Sequence, residues 1–380
     1  MSGGIFAGSR EAPVGTRRIP HPAWIITGKA ANSEGSMKLL VTGHHGYIGS
    51  VMVGVLSRAG HDVTGLDTYL YDGCDFGPNP LNGPAIRKDI RDVEPADLRG
   101  FDAVIHLAAL SNDPLGCLDE ACTYDINHRG SVTLAKVAKA AGVPRFLFAS
   151  SCSLYGAAGD KMLDERADFN PITAYGSSKV LVEQDVTKLA DDSFSPTFLR
   201  NATAYGASPR LRADIVVNNL VGVAYTTGKI LIQSDGTPWR PLVHVQDISR
   251  AFLAVLEAPR ETVHNQSFNV GSSQENYQIR EIADMVREVV PGCSVEYMEG
   301  GGPDPRCYKV NCDKLTAHIP TFKTEWTVRR GVEELYESYV RNGLTAEMFA
   351  NYVRLPRIQA LLRDGRVDSM LRPRSASVTV

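Results

Sequence analysis

The chain reads as an α/β fold, a doubly wound parallel sheet followed by a smaller C-terminal lobe. Three observations carry this. From Lys38 to about Gly206, short apolar runs alternate with stretches of helical periodicity, the rhythm of βαβ units in a parallel sheet. A glycine-rich turn, "VTGHHGYIGS" (Val41 to Ser50), joins the first apolar run to the first helical one. After Gly206 the rhythm changes to a mixture of helices and short strands.

Taken in order, "KLLVT" is a buried strand, "YIGSVMVGVLSRAG" a helix ending at Gly60, and "DVTGLD" and "AIRKDI" two further strands. "DAVIHLAA" is apolar enough to be buried on both faces. "TLAKVAKAAGV" reads as helix, "RFLFASS" as strand, "AYGSSKVLVEQDVTKLA" as helix and "SPTFLRNATAYG" as one strand. Beyond Gly206, "ADIVVNNLVGVAYTTG" is helical, "KILIQSDG" a strand, "PLVHVQDISRAFLAVLEAP" a strand then a helix, and "SFNVGS" a strand. "QIREIADMVREVV" sets Ile279, Ile282, Ala283, Val286 and Val289/Val290 on one helical face. The expected division is an irregular arm at 1–36, a main α/β domain at 37–206, and a lobe at 207–343 with segments returning to the first sheet. A surface helix with a frayed end is expected at 344–380. The arm has no apolar h-region and does not read as a secretory signal.

The 380 residues carry a formal net charge of −3, so no global basic field draws the chain to nucleic acid or an anionic membrane. No apolar run approaches the roughly 18 residues of a membrane span. Seven scattered cysteines without a CxxC pair suit neither a disulfide framework nor a zinc site, and fit a reducing, cytoplasmic setting.

In the glycine turn, Gly43 permits the tight bend, Gly46 lets backbone approach a pyrophosphate, and Gly49 lets helix pack on strand. The helix N-terminus adds free N–H groups and partial positive charge. Asp67 ends the second strand 18 residues after Gly49, where a carboxylate accepts hydrogen bonds from an adenosine ribose and repels a 2′-phosphate. That points to NAD rather than NADP. His44 and His45 have no third ligand nearby, so no metal is expected; they are expected to line the turn.

Tyr175 and Lys179 lie four apart at a helix start and share one face. A hydroxyl-rich strand end, "FLFASSCSLYG", precedes them. Such a tyrosine removes an alcohol proton while the carbon loses hydride to a nicotinamide. Its pKa of about 10 must fall by roughly 2–3 units to work near neutral pH. One ammonium at about 4 Å supplies roughly 4 kcal/mol at an effective dielectric of about 20.

Together "TGHHGYIG", "LD", "KDI", "HLAA", "YDIN", "SSCSLYG", "YGSSK" and "RPLVHVQD" resemble the extended short-chain dehydrogenase/reductase family, and within it the nucleotide-sugar epimerases and dehydratases. The likeness runs from about Met37 to about Tyr339. It implies a Rossmann-type sheet with a substrate-binding C-terminal lobe. It further implies that Gly43, Gly46, Tyr47, Ile48 and Gly49 wrap the pyrophosphate of NAD, Asp67 takes the ribose, and Asp89 and Ile90 meet the adenine. Leu107, Ala108 and Ala109 line the far ribose side, and Asn127 holds the neighbouring backbone. Ser151, Tyr175 and Lys179 match the catalytic set. Ser111, Cys152, Ser153, Thr203, Arg240 and Arg306 fall on the substrate side, with Arg240 on the nucleotide. Arg210 and Arg212 are further candidates for a phosphate. The resemblance also implies a homodimer, through the helix around Leu134 and the one following Tyr175.

Departures from the family pattern matter. Cys152 and Ser153 stand where the 4,6-dehydratases carry Asp-Glu, Thr203 stands for the usual Asn, and "GGGPDPR" replaces Arg-Pro-Gly-Asp. Cys152 reads as pocket-lining, with an acid/base role as the alternative. The activity expected first is NAD-dependent 4-epimerisation of a nucleotide sugar. A dehydratase, decarboxylase, 3,5-epimerase or reductase stays open, as does a non-catalytic NAD sensor.

Overall fold

The computed structural model describes residues 35–77, 83–111, 119–298 and 306–374. The arm before residue 35, all of "GGGPDPR" except Arg306, and the last six residues lie outside these.

Seven strands form the main sheet: β1 (Lys38–Thr42), β2 (Asp62–Asp67), β3 (Ala85–Arg87), β4 (Ala103–His106), β5 (Arg145–Ser151), β7 (Ser195–Asn201) and β11 (Ser267–Val270). Their order is β11-β7-β5-β4-β1-β2-β3, and every pairing is parallel. The chain winds outward from β1 to β3, then crosses back to β4 and winds the other way. The reversal leaves a crevice beyond the C-terminal ends of β1 and β4, where ligands of doubly wound sheets bind.

Alternation along β1 shows why both faces are covered. Leu39 and Val41 join Met52, Leu56, Ile105, Phe252 and Val255 in one core cluster, on the side of helices Tyr47–Arg58 and Val245–Glu257. Leu40 turns the other way, toward Leu66, Val104, Leu134, Phe146, Phe148 and Val182, under helices Ser131–Ala140 and Ala174–Val186.

A third cluster unites helices Val216–Thr227, Ile279–Val289 and Val328–Arg341. It also takes in β9 (Lys229–Ile232), which pairs in parallel with β13 (Ser294–Tyr297). A three-stranded sheet of β8 (Thr203–Tyr205), β10 (Trp239–His244) and β12 (Asn276–Gln278) links the two regions. A short pair, β6 (Met162–Leu163) with β14 (Lys309–Val310), completes the strands described.

Two expectations change. "SPTFLRNATAYG" is not one strand: Ala202 breaks it, so β7 stays in the main sheet and β8 pairs with β10. The C-terminal stretch is not a surface helix. Helices Ala346–Asn351 and Arg354–Arg363 fold back, and Ile358, Leu361, Val367 and Leu371 bury against Leu110 and Cys122. Arg91 donates to the Met370 carbonyl at 3.0 Å, and Arg372 meets Asp92 at 2.7 Å, tying this segment to the loop after β3.

Candidate active site

A cleft of about 870 Å³ opens at the topological reversal. It is lined by Gly43, Gly46, Tyr47, Ile48 and Gly49 from the turn, and by Asp67, Asp89, Ile90, Leu107, Ala108 and Ala109 from strand ends and the loops after them. Ser111, Ser151, Ser153, Tyr175, Lys179, Thr203, Arg240 and Arg306 line it too.

The turn is as tight as its glycines permit. Gly43 takes φ +72°, and a Cβ there would lie 2.8 Å from the Ala108 nitrogen. Helix Tyr47–Arg58 starts at Gly46 with no side chain capping its N–H groups. The Tyr47 hydroxyl is buried and donates to the Gly206 carbonyl at 2.8 Å. Asp67 accepts from the backbone N–H of His45 at 3.1 Å and of Tyr69 at 2.8 Å. Burial raises its carboxyl above the ordinary range, against those N–H donors and His44. A backbone cradle that a Cβ would fill, an uncapped helix N-terminus and a carboxylate one strand away fit the pyrophosphate and ribose of NAD.

The histidines do not face the cleft. The His44 ring packs over Gly65, where a Cβ would lie 2.3 Å from it. His45 meets the Arg210 guanidinium, and burial with that cation lowers its pKa to about 4. Arg210 is 1% exposed, bound to Asp75 at 2.9 Å and the Tyr71 carbonyl at 3.3 Å, and does not line the cleft. It is a structural cation here, which corrects its reading as a phosphate contact. Arg212 does line the cleft, paired with Asp214 at 2.9 and 3.1 Å and donating to Ser111 at 3.2 Å.

Local structure sets the positions expected to be catalytic. Thr173 caps Gly176 at 3.1 Å and starts helix Ala174–Val186 just before Tyr175. One turn later, the Lys179 ammonium stands 5.6 Å from the Tyr175 ring centroid and donates to the Ala149 carbonyl at 2.7 Å. Burial lowers its pKa to about 7, with Glu183 acting upward. Glu183 also accepts from Ser150 at 2.6 Å and pairs with buried Arg200 at 2.7 Å, so it anchors the strand end that carries Ser151.

Ser151 ends β5 and accepts from the Ser153 N–H at 3.2 Å. The 3₁₀ turn Cys152–Tyr155 then sends neighbouring side chains opposite ways. Ser153 lines the cleft, its hydroxyl buried without a partner among the described residues. Cys152 goes inward: it is 0% exposed, 3.1 Å from the Arg200 carbonyl, and packs with Leu154, Tyr155, Val310 and Cys312. Burial pushes its thiol well up. Cys152 is therefore a core residue and not the pocket-lining or acid/base group expected of it. Asn127 does not line the cleft either; from a π-helical turn (Asp125–Gly130) it hydrogen-bonds the Leu110 backbone at 2.8 and 3.0 Å.

Sequence reasoning missed Asn201, Tyr71 and Arg354, all in the cleft wall. Asn201 had a signal, an amide in an apolar strand, and its buried Oδ1 has no partner among the described residues. Arg354 had none, because only tertiary packing brings the C-terminal segment there. Arg240 donates to the carbonyls of Trp239, at 2.9 Å, and Arg306. Among the described residues no three His, Cys, Asp or Glu gather as metal ligands, and no helix is long and apolar enough to cross a membrane.

Residues 39–271 match the NAD dependent epimerase/dehydratase family. The chain is 30% identical to a UDP-glucose 4-epimerase of Corynebacterium glutamicum, over 67% of this chain and 80% of that one. It is 31% identical to a UDP-glucose 4-epimerase of Lactobacillus helveticus, over 70% and 87%. Among solved structures it resembles MoeE5 in complex with UDP-glucuronic acid and NAD, at 26% identity and TM-score 0.71, over 81% of this chain and all of that one. The Thermus thermophilus UDP-glucose 4-epimerase complex with NAD shares the fold, at 24% identity and TM-score 0.69, over 80% of this chain and 99% of that one. The glycine turn, Asp67, Ser151, Tyr175 and Lys179 line one cleft, and the chain belongs to the NAD dependent epimerase/dehydratase family, as an NAD-dependent enzyme.

Proposed function

We propose that the protein epimerises a nucleotide-activated sugar at C4 through a transient keto sugar. The observation that carries this is the convergence of Ser151, Tyr175 and Lys179 on the cleft that also holds the glycine cradle and Asp67. Similarity to UDP-glucose 4-epimerases supports it.

Bound NAD supplies a carbon centre that accepts a hydride and returns it. Tyr175 takes the proton of the 4-hydroxyl and later gives it back. The Lys179 ammonium favours the tyrosinate, and Ser151 bonds the same oxygen. The cleft lets the keto sugar turn over between the two transfers. Ser153 and Asn201, with buried polar atoms lacking protein partners among the described residues, offer hydrogen bonds to sugar hydroxyls. Arg240 and Arg306 line the cleft and are the residues that would hold the diphosphate. No carboxylate occupies position 152 or 153, so elimination of water has no acid/base pair there, which favours epimerisation over dehydration.

We also infer a cytoplasmic homodimer. The six cysteines among the described residues are all free, as in a reducing compartment. The helices around Leu134 and after Tyr175 are the family's usual contact.

The test is equilibration of UDP-glucose with UDP-galactose, and of further C4 pairs, by purified protein without added reductant. Conversion of one pair, with Arg240→Ala raising KM more than it lowers kcat, is expected. A product altered at any other carbon would displace the C4 assignment.

A further inference from the structure

Arg354 begins helix Arg354–Arg363 and is 3% exposed, yet it lines the cleft. Its Nη2 donates to the Arg210 carbonyl at 3.1 Å, and its guanidinium lies 4.0 Å from the centroid of the Tyr71 ring. Its Nη1 is buried without a hydrogen-bond partner among the described residues. The nearby carboxylate, Asp214, is already taken up by Arg212. Burial and the charge of Arg212 work against the Arg354 cation, while the Tyr71 and Asp214 side chains support it. A guanidinium remains charged even so. A buried cation beside a second cation, with an unpartnered donor on a residue that lines a ligand cleft, calls for an anion.

We propose that Arg354 binds a phosphate oxyanion of the ligand in the cleft, so that the C-terminal segment completes the binding site. Val353 and Leu371, from the same segment, form part of the same wall. This rests on the nucleotide-sugar reading above. The phosphate belongs either to the pyrophosphate of NAD or to the diphosphate of the sugar nucleotide. Tyr71 follows Asp67 by four residues, on the adenosine side, whereas Arg212 bonds Ser111 on the substrate side, so Arg354 stands between the two.

The test is calorimetry on native, Arg354→Gln and Arg354→Lys proteins, with NAD titrated into cofactor-free protein and UDP-glucose into NAD-loaded protein. Arg354→Gln should weaken one of the two by tenfold or more. Loss in the NAD arm assigns the cofactor's phosphate, and loss in the UDP-glucose arm the substrate's. Arg354→Lys keeps the charge and should recover most of the loss. Affinities within twofold of native in both arms for Arg354→Gln, or equal losses for Gln and Lys, overturn the proposal. Hydrogen exchange on native protein covers the case in which Arg354→Gln does not fold. One of the two ligands should slow exchange across residues 352–363, and no slowing by either overturns the proposal. Native protein that binds neither probe overturns the nucleotide-sugar reading instead.

Discussion

Alanine at Gly49 and alanine at Gly46 put the same methyl group three residues apart in one turn, with different consequences. At Gly49 a Cβ would lie 2.2 Å from the Gly43 carbonyl oxygen and 2.6 Å from the His44 Cα, well inside the 3.4 Å of ordinary contact. Both obstacles are backbone, so the turn must move off the sheet. Overpacking of this kind costs about 1–3 kcal/mol when side chains can give, and the upper end of that range or more is expected here. At Gly46 the backbone is at φ −90°, open to any residue, and the nearest atom, the Gly43 carbonyl oxygen, is 3.1 Å away, so it need give by only a few tenths of an ångström. The fold should tolerate that methyl. Its place, however, is the surface that a pyrophosphate must approach. Gly46→Ala is therefore expected to keep a near-native Tm while weakening NAD tenfold or more, about 1.4 kcal/mol. Gly49→Ala should lower Tm by several degrees and lose NAD with the turn. Thermal unfolding of cofactor-free protein and NAD calorimetry read both. Native NAD affinity in Gly46→Ala, or native Tm in Gly49→Ala, would refute the division of roles.

Asp67→Ala should weaken NAD and narrow its margin over NADP, measured by calorimetry; equal native affinity for the two cofactors would contradict the role of that carboxylate. Burial lowers the Lys179 pKa from 10.5 to about 7. Between those values the unfolded chain holds a proton that the folded, cofactor-free protein lacks. Stability should therefore rise with pH across that window, and Lys179→Met should flatten the rise in denaturant titrations. Cys152→Ala should leave kcat within about twofold and cost about 1 kcal/mol in stability; loss of turnover in a folded variant would return Cys152 to the site.

Sequence and structure agree where the signal is local. The turn from Thr42 to Tyr47 announces itself because glycine spacing, strand and helix are contiguous, and Tyr175 and Lys179 because a helix brings i and i+4 together. Signals that depend on neighbours distant in sequence were not legible. Arg210 and Arg212 look alike in "SPRLRAD"; only the fold gives the first Asp75 and His45 and the second Asp214 and the cleft. Cys152 and Ser153 differ by one position, and a single 3₁₀ turn decides which lines the cleft. The break at Ala202 lies inside an unbroken β-like pattern, because β8 leaves the main sheet to pair with β10. The C-terminal segment shows scattered apolar residues, and Ile358, Leu361 and Leu371 become a core only against Leu110 and Cys122, far earlier in the chain.

NMR of the nucleotide-sugar product formed in deuterated water is the decisive test of oxidation and return at one carbon with Tyr175 as the base. Inversion at C4 is expected, with the original hydrogen retained and no solvent deuterium at C3, C4 or C5. Tyr175→Phe is expected to slow this conversion by about 10²–10⁴-fold while the protein stays folded and binds NAD. Deuterium at C3 or C5, or near-native turnover by Tyr175→Phe, would contradict it.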